Sequence, residues 1–286
     1  MKKLFFILCF SFVSLLSAQL SHPKVSPYAT TTQEIGLTSI KVEYSRPAVR
    51  GRNIFGDLVP YGRIWRVGAN ASTKITFESD VSIMGSFLAK GTYALYAFPE
   101  EKEWEIVFHT NLTHWGDGRK NYDQNEDALR VEVIPETSKS FQENFLITFD
   151  KINHNELNLV LRWENTEINI PIKIDTHGLM EEEIEIKLAD NPTAQTYYEA
   201  ARYYQEQNIK FETALQYLIK AIEIGGDTYY FHRVKSLVEA ALGDYKTAIY
   251  SANKSKELAA KEGKDEFVRM NDKSIGLWKD KLLKRH

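Results

Sequence analysis

The chain has 286 residues, of which 43% are hydrophobic and 26% charged, as is ordinary for a globular protein. Its 36 lysines and arginines and 39 aspartates and glutamates give a formal net charge of -3, which offers no electrostatic basis for binding nucleic acid. The only cysteine, Cys9, lies in an N-terminal apolar run. The remainder therefore has no thiol for a disulfide, a thiolate metal ligand or a cysteine nucleophile.

The first 18 residues have the pattern of a secretory signal peptide. Lys2 and Lys3 precede an apolar run, Leu4–Leu16, and the small residue Ala18 follows it. The run is too short to span a bilayer comfortably, so a membrane anchor is the weaker interpretation. We expect cleavage after Ala18, export to the periplasm or the medium, and no membrane span in the mature chain.

Residues 19–178 are predicted to form a β domain. Apolar and polar residues alternate in short runs rich in β-branched and aromatic side chains, which indicates half-buried strands. About eight or nine strands without intervening helices predict an antiparallel sandwich or a jelly-roll-like barrel. The runs are Ile40–Tyr44, Ile75–Phe77, Tyr93–Ala97, Trp104–Phe108, Leu129–Val133, Phe145–Phe149, Leu157–Leu161 and Ile168–Ile174.

An irregular segment, Tyr44–Ala71, interrupts these strands. It contains five arginines, two prolines and four glycines, interleaved with Tyr44, Phe55, Tyr61 and Trp65. Proline and glycine predict a path with repeated turns. Arginine beside aromatic rings permits stacking as well as bidentate contact with a carboxylate or phosphate.

The sequence predicts a ligand pocket built from this segment and the loop that follows the strand Trp104–Phe108. Converging arginines would bind an anionic group, and the aromatic rings would form walls for a sugar or a peptide. The candidate ligand-binding residues are Arg46, Arg52, Tyr61, Trp65, Arg66, Asn70, Trp115, Tyr122, Asp123 and Asp127. The alternative is structural, because arginines also fix irregular loops by pairing with aspartates and backbone carbonyls.

The same loop offers candidates for metal binding and for acid/base chemistry. The alternation Asp123-x-Asn125-x-Asp127 begins like a calcium loop, but Ala128 and Ile134 stand where glycine and glutamate are required. His109, His114 and Asp117 offer zinc-type ligands without any supporting motif. An irregular Ca²⁺ site therefore stays open, but we expect no metal and no cofactor. If the protein is an enzyme, a hydrolase or lyase, then His109, Asp123 and Asp127 are the acid/base candidates.

Residues 179–286 are predicted to form an all-α domain. Apolar residues recur three and four apart, and Phe211–Leu215 superposes on Asp244–Ile249 with Ala214 matched to Ala248. This spacing of 34 is the tetratricopeptide period, which predicts two tetratricopeptide-like repeats followed by a final solvating helix, Phe267–Leu283. The alternative is an ordinary helical hairpin or bundle without a ligand groove.

A long run of motifs in the β region resembles the DUF2911 family, a group of exported bacterial proteins of uncharacterised function. The motifs that carry the resemblance are Tyr44-Ser45-Arg46-Pro47, Gly51-Arg52, Ile54-Phe55-Gly56, Leu58-Val59-Pro60-Tyr61-Gly62, Trp65-Arg66, Gly68-Ala69-Asn70, Thr73–Phe77, Gly91-Thr92-Tyr93 and Trp115-Gly116. The resemblance covers roughly residues 23–174 and implies a compact β domain of the cell envelope. It implies no accepted activity and no catalytic residues.

Our hypothesis from the sequence is a non-catalytic, exported envelope protein. Its β domain would bind a small anionic or carbohydrate-like ligand, and its helical tail would dock a protein or peptide. No motif for a serine nucleophile, a phosphate-binding loop or a dinucleotide is present. The alternatives are a hydrolase or lyase that uses an Arg/Asp/His cleft, and a purely structural or scaffolding protein.

Overall fold

The computed structural model describes residues 22–115 and 121–284, so the predicted signal peptide and Asp117 lie outside the described residues. The chain divides after Thr176 into two compact units, a β unit and a helical unit. Within the described ranges, no helix is long and apolar enough to cross a membrane. The prediction of an antiparallel β domain followed by helices is confirmed.

Ten strands in two antiparallel sheets form the described β unit. The strands are β1 (Tyr28–Ile35), β2 (Thr38–Ser45), β3 (Thr73–Phe77), β4 (Val81–Ile83), β5 (Ser86–Leu88), β6 (Gly91–Phe98), β7 (Trp104–His109), β8 (Asp127–Val133), β9 (Glu136–Asp150) and β10 (Glu156–Lys173). One sheet has the order β1-β2-β3-β6-β7-β8 and the other the order β5-β4-β10-β9. Alternating buried residues on β2 and β3 produce the half-buried pattern that the sequence predicts.

Three strands depart from the sequence prediction. The run Leu157–Leu161 and all but the last residue of the run Ile168–Ile174 belong to one long strand, β10, whose pairing with β9 shifts register between Arg162 and Glu164. β1 lacks an alternating apolar pattern because three threonines form its centre, yet it pairs with β2 over eight residues. β5 occupies part of Gly85–Gly91, which the sequence indicates as a connection.

An aromatic cluster joins the two sheets. Trp104 of β7 and Trp163 of β10 both contact Phe55 and Trp65, two residues of the irregular segment. Phe145 of β9 packs edge-on against Trp65, with ring centroids 5.1 Å apart. Trp65 and the two strand tryptophans are at most 6% exposed. Two of the segment's aromatic residues therefore belong to the core between the sheets.

The irregular segment is fixed to both sheets through its backbone. The Phe145 N–H donates to the Pro47 carbonyl (2.8 Å), which joins the start of the segment to β9. Trp65 and Ala97 exchange backbone hydrogen bonds of 2.7 and 2.8 Å, so the end of the segment lies beside β6. At Gly68, φ is +144°, and an added Cβ would lie 2.9 Å from the Ser45 carbonyl oxygen. Only glycine fits this close approach without strain.

The helical unit consists, where it is described, of consecutive helices joined by short connections. They are α1 (Thr176–Ala189), α2 (Ala194–Glu206), α3 (Phe211–Gly225), α4 (Tyr229–Ala241), α5 (Tyr245–Lys261) and α6 (Asp265–Leu283). Thr193, Thr228 and Asp244 accept hydrogen bonds from the first-turn N–H groups of α2, α4 and α5. Ala214 and Ala248 are both fully buried and occupy the fourth positions of α3 and α5, as the 34-residue spacing requires.

Candidate functional site

A cavity of about 270 Å³ lies beside the irregular segment. Arg50, Arg52 and Arg66 contribute to its lining, and Trp65 and Trp163 form an aromatic part of its wall. No carboxylate is found among the described residues that line it. The cavity therefore combines three positive charges with an apolar surface, which is the combination that an organic anion requires.

The contacts of Arg52 show how this loop positions a guanidinium group. Its Nε donates to the Val49 carbonyl (3.0 Å) and its Nη2 donates to the Ala48 carbonyl (2.6 Å), which closes a tight turn. Arg50 has φ of +51°, and its Nη2 reaches the Val25 carbonyl at 3.5 Å. The backbone thus holds both side chains at the cavity without neutralising their charges.

Arg46 has a structural role rather than the ligand-binding role that the sequence predicts. Its Nε donates to the Phe145 carbonyl at 2.9 Å, and Arg46 is not among the described residues that line the cavity. Asn70 is also a structural contact, because its Nδ2 donates to the Ser26 carbonyl (3.3 Å) and to Ser45 Oγ (3.0 Å). These two side chains fix the irregular segment to its neighbours.

Tyr61 lies at a second, larger depression of about 680 Å³. Its lining is acidic and includes Glu100, Glu101, Glu103, Glu105 and Glu132. An anionic ligand would be repelled there. The structure therefore separates Tyr61 from the arginines with which the sequence analysis grouped it.

The residues predicted from the second loop form a separate cluster at the end of β7. His109 is fully buried, and its Nδ1 lies 3.0 Å from Asp127 Oδ1. The Tyr122 hydroxyl donates to the same carboxylate (2.7 and 2.8 Å), as does Arg130 Nη2 at 2.8 Å. Burial and the hydrogen bond to Asp127 raise the pKa of Tyr122 well above its ordinary value.

His114 and Glu126 complete this cluster. His114 Nδ1 lies 3.1 Å from the Tyr96 hydroxyl, and the His109 and His114 ring centroids are 5.4 Å apart. Glu126 Oε2 lies 3.3 Å from His109 Nε2. Of the residues predicted from the sequence, the cluster brings together His109, His114, Tyr122 and Asp127. Arg130, rather than Arg46 or Arg52, is the arginine that contacts them.

The two remaining candidates are at the edge of the cluster. Asp123 accepts hydrogen bonds from Asn125 N and Nδ2, both at 2.9 Å, and so begins the short 3-10 turn Gln124–Glu126. These bonds direct Asp123 and Asn125 toward each other rather than toward a shared cation. Trp115 is 72% exposed and pairs through its backbone with Ala71.

Several residues at the two sites were not among the candidates from the sequence: Arg50 and Trp163 at the cavity, and Tyr96, Glu126 and Arg130 at the cluster. A strand-register argument could have found Glu126, because His109 ends β7, Asp127 begins β8, and the two are paired across neighbouring strands. No sequence signal places Trp163 opposite Trp65, since they are about a hundred positions apart and in different elements.

Comparison with known proteins places the β unit in a family. The family model described as "Protein of unknown function (DUF2911)" matches residues 26–172. No curated protein and no solved structure matches the chain. The residues that line the cavity, apart from Val25, and those of the histidine cluster all lie within the matched region.

Proposed function

The chain belongs to the DUF2911 family, and from the geometry of its β unit we propose that it is a binding protein for a small organic anion. The cavity lined by Arg50, Arg52 and Arg66 is the binding site. The proposal depends on one observation. Three guanidinium groups and two indole rings line the same cavity, and no carboxylate is found among the described lining residues.

The unused donors of Arg52 support an anion as the ligand. A guanidinium group has five N–H donors. The two bonds to the carbonyls of Ala48 and Val49 use two of them, and the other three make no hydrogen bond within the described residues. A carboxylate or phosphate accepts two parallel N–H bonds from such a group, and these charge-assisted bonds are stronger than neutral ones.

The size and wall of the cavity restrict the ligand further. Its volume of about 270 Å³ is just below the range of roughly 300–1,000 Å³ that is usual for drug-sized ligands. A ring that carries one acidic group, such as a hexuronic acid or an aromatic carboxylate, fits this volume better than an oligosaccharide. Trp65 and Trp163 are 6% and 2% exposed, so only the edges of these indoles reach the cavity and contribute the apolar part of its wall.

The predicted export would place this site in the periplasm or in the medium, where acidic sugars of the envelope are available. The helical unit would then dock the β unit to a protein or peptide partner. Stacked helical hairpins provide surfaces of this kind.

Titration calorimetry tests the proposed site. We would titrate the chain with glucuronate, benzoate and phosphate, and with glucose as the uncharged control. We expect an acidic ring to bind and glucose not to bind. Arg52→Ala should weaken binding by about tenfold or more, because it removes a charge-assisted pair. Arg63→Ala is the matched control, since Arg63 belongs to the same segment but lies outside the described lining of the cavity.

The outcome separates the binding role from a structural one. If Arg52 only closes its turn, Arg52→Ala will lower the unfolding temperature and leave any anion binding unchanged. The absence of binding for every anion, or equal affinity in the Arg52 and Arg63 variants, would rule out this site.

A further inference from the structure

We propose that His109, His114 and Glu126 bind a divalent transition-metal cation, with Zn²⁺ as the best match. One ligand atom from each of the three residues lies within 4.8 Å of the other two. His109 and His114 are buried and Glu126 is half-buried. This inference is independent of the anion cavity, since none of the three residues lines it.

The Nε2 atom of His109 is a buried polar atom that indicates a binding partner at this position. The side chain is fully buried, and Nε2 makes no hydrogen bond within the described part of the chain. Glu126 Oε2 is only 3.3 Å away, but the two atoms are not aligned for a hydrogen bond. A buried polar atom without a partner is unfavourable, and a cation between the nitrogen and the carboxylate would satisfy both.

The surrounding contacts prepare the histidines as metal ligands. Asp127 accepts a hydrogen bond from Nδ1 of His109, and this leaves the lone pair on Nε2, the atom that faces Glu126. Tyr122 and Arg130 both donate to Asp127 and hold its carboxylate in place. A carboxylate that orients a ligating histidine in this way is the usual second layer of contacts around zinc.

His114 and Glu126 are oriented in a comparable way. The Tyr96 hydroxyl lies 3.1 Å from Nδ1 of His114, so Nε2 is the ring nitrogen left to bind a metal. Asn111 Nδ2 donates to both carboxylate oxygens of Glu126, at 3.2 and 3.4 Å. The backbone of Glu126 is also fixed, because Thr110 N donates to its carbonyl at 2.9 Å.

The distances between the three ligand atoms would suit a small cation if the atoms moved slightly closer together. Tetrahedral zinc with ligands at about 2.0–2.1 Å requires neighbouring ligand atoms about 3.3–3.4 Å apart. His109 Nε2 and Glu126 Oε2 are already 3.3 Å apart. The atoms lie within 4.8 Å of one another, so the widest separation would shorten by up to about 1.4 Å when the ion binds. Three protein ligands leave a fourth position open, as in zinc sites that perform chemistry.

The donor set also selects the metal. Two imidazole nitrogens and one carboxylate suit Zn²⁺ and its neighbours in the first transition row, whereas Ca²⁺ and Mg²⁺ prefer a shell of oxygen ligands. The calcium-like alternation Asp123-x-Asn125-x-Asp127 does not form such a shell, because Asp123 and Asn125 bond to each other.

Metal titration of the full chain tests this site. The protein is purified without a histidine tag, treated with a chelator, and titrated with Co²⁺ and then Zn²⁺. We expect one ion per chain, with the intense visible absorption of tetrahedral Co²⁺ and its displacement by Zn²⁺. His114→Gln and Glu126→Gln should each weaken binding by at least tenfold. Asp127→Asn should weaken it by about 10–100-fold, as loss of an orienting partner does.

The controls distinguish this site from adventitious binding and from misfolding. His232→Gln removes another buried histidine, which lies in the helical unit and bonds to Asp227, and it should leave the affinity unchanged. Glu126→Gln keeps the size of a side chain that is 39% exposed, so circular dichroism should match the wild type. No stoichiometric binding by the wild-type chain would overturn the proposal. Folded His114→Gln and Glu126→Gln variants that bind the metal with the wild-type affinity would overturn it as well.

Discussion

Trp65→Ala should destabilise the β unit by about 4 kcal/mol. Trp65 is 6% exposed and stacks on Trp163, with ring centroids 5.9 Å apart. Phe55, Trp104 and Phe145 contact it edge-on at 5.7, 6.1 and 5.1 Å. The sequence analysis assigned this ring to the wall of a ligand pocket, and the structure shows that it is also part of the core.

The magnitude follows from the buried area. Truncation to alanine removes about 150 Å² of buried apolar surface, and at about 25 cal/mol per Å² this amounts to about 4 kcal/mol. The hydrogen bond from Trp65 Nε1 to the Gly68 carbonyl (3.2 Å) is also lost. Its contribution of about 1 kcal/mol is offset in part by collapse of the surrounding rings into the space.

Urea unfolding followed by near-UV circular dichroism measures this loss, because packed indole rings dominate that signal. Trp115→Ala is the matched control, since Trp115 is 72% exposed and its removal should cost less than about 0.5 kcal/mol. A loss below about 1 kcal/mol for Trp65→Ala, or one equal to the control, would refute the assignment of this ring to the core.

Three further predictions concern backbone strain, ionisation and the helical core. Gly68→Ala should lower stability by about 2 kcal/mol in thermal unfolding, because φ is +144° and the new Cβ would lie 2.9 Å from the Ser45 carbonyl. The raised pKa of Tyr122 means that its hydroxyl stabilises the fold below about pH 10, where the unfolded chain is also neutral. This stabilisation is lost as the pH rises further, so the stability difference between wild type and Tyr122→Phe should shrink in denaturant titrations above about pH 10. Arg233 donates to two buried polar side chains of α6, and Arg233→Ala should destabilise the helical unit by about 2 kcal/mol in far-UV circular dichroism.

Each of these predictions has an outcome that contradicts it. An unchanged melting temperature for Gly68→Ala would mean that the backbone yields without cost. If the stability difference between the wild type and Tyr122→Phe stays constant between about pH 9 and 11, the raised pKa of Tyr122 is contradicted. Arg202→Ala is the control for Arg233, because its ion pair with Glu206 is half-exposed and contributes less than about 0.5 kcal/mol. Equal effects of the two arginine variants would show that the buried contacts of Arg233 do not stabilise the unit.

Periodicity predicts the elements of this chain well where one face is buried. The run Ile75–Phe77 has this character and lies in β3, and the resemblance to DUF2911 is confirmed over residues 26–172. β1 could not be predicted, because most of its residues are exposed or half-exposed and its side chains are mainly polar. Its pairing with β2 depends on backbone hydrogen bonds, which leave no pattern in side-chain hydrophobicity.

The sequence predicted which types of residue would form the candidate sites, but not which residues would contact one another. His109 and Asp127 were identified as a histidine and a carboxylate of one loop region, and the structure places them 3.0 Å apart. Glu126 and Tyr96 were not identified, because their positions depend on how β6, β7 and β8 pair in the sheet. Residue types alone do not give these neighbours, because they depend on the register of β7 on β8 and on β6.

An arginine of the irregular segment can fix the backbone and bind a ligand at the same time, although the sequence presents these two roles as alternatives. Arg46 binds the Phe145 carbonyl and takes no part in the described lining of the cavity, so it has the structural role. Under the proposed function Arg52 has both roles, because two of its donors bond to the turn and the others would bond to the ligand. The planar guanidinium group carries donors on more than one edge, so one edge can bond to the turn while another stays available, which the compact ammonium of a lysine does not allow. The same turn that fixes the backbone therefore aims the guanidinium group, and a ligand would bind a charge that the fold has already positioned.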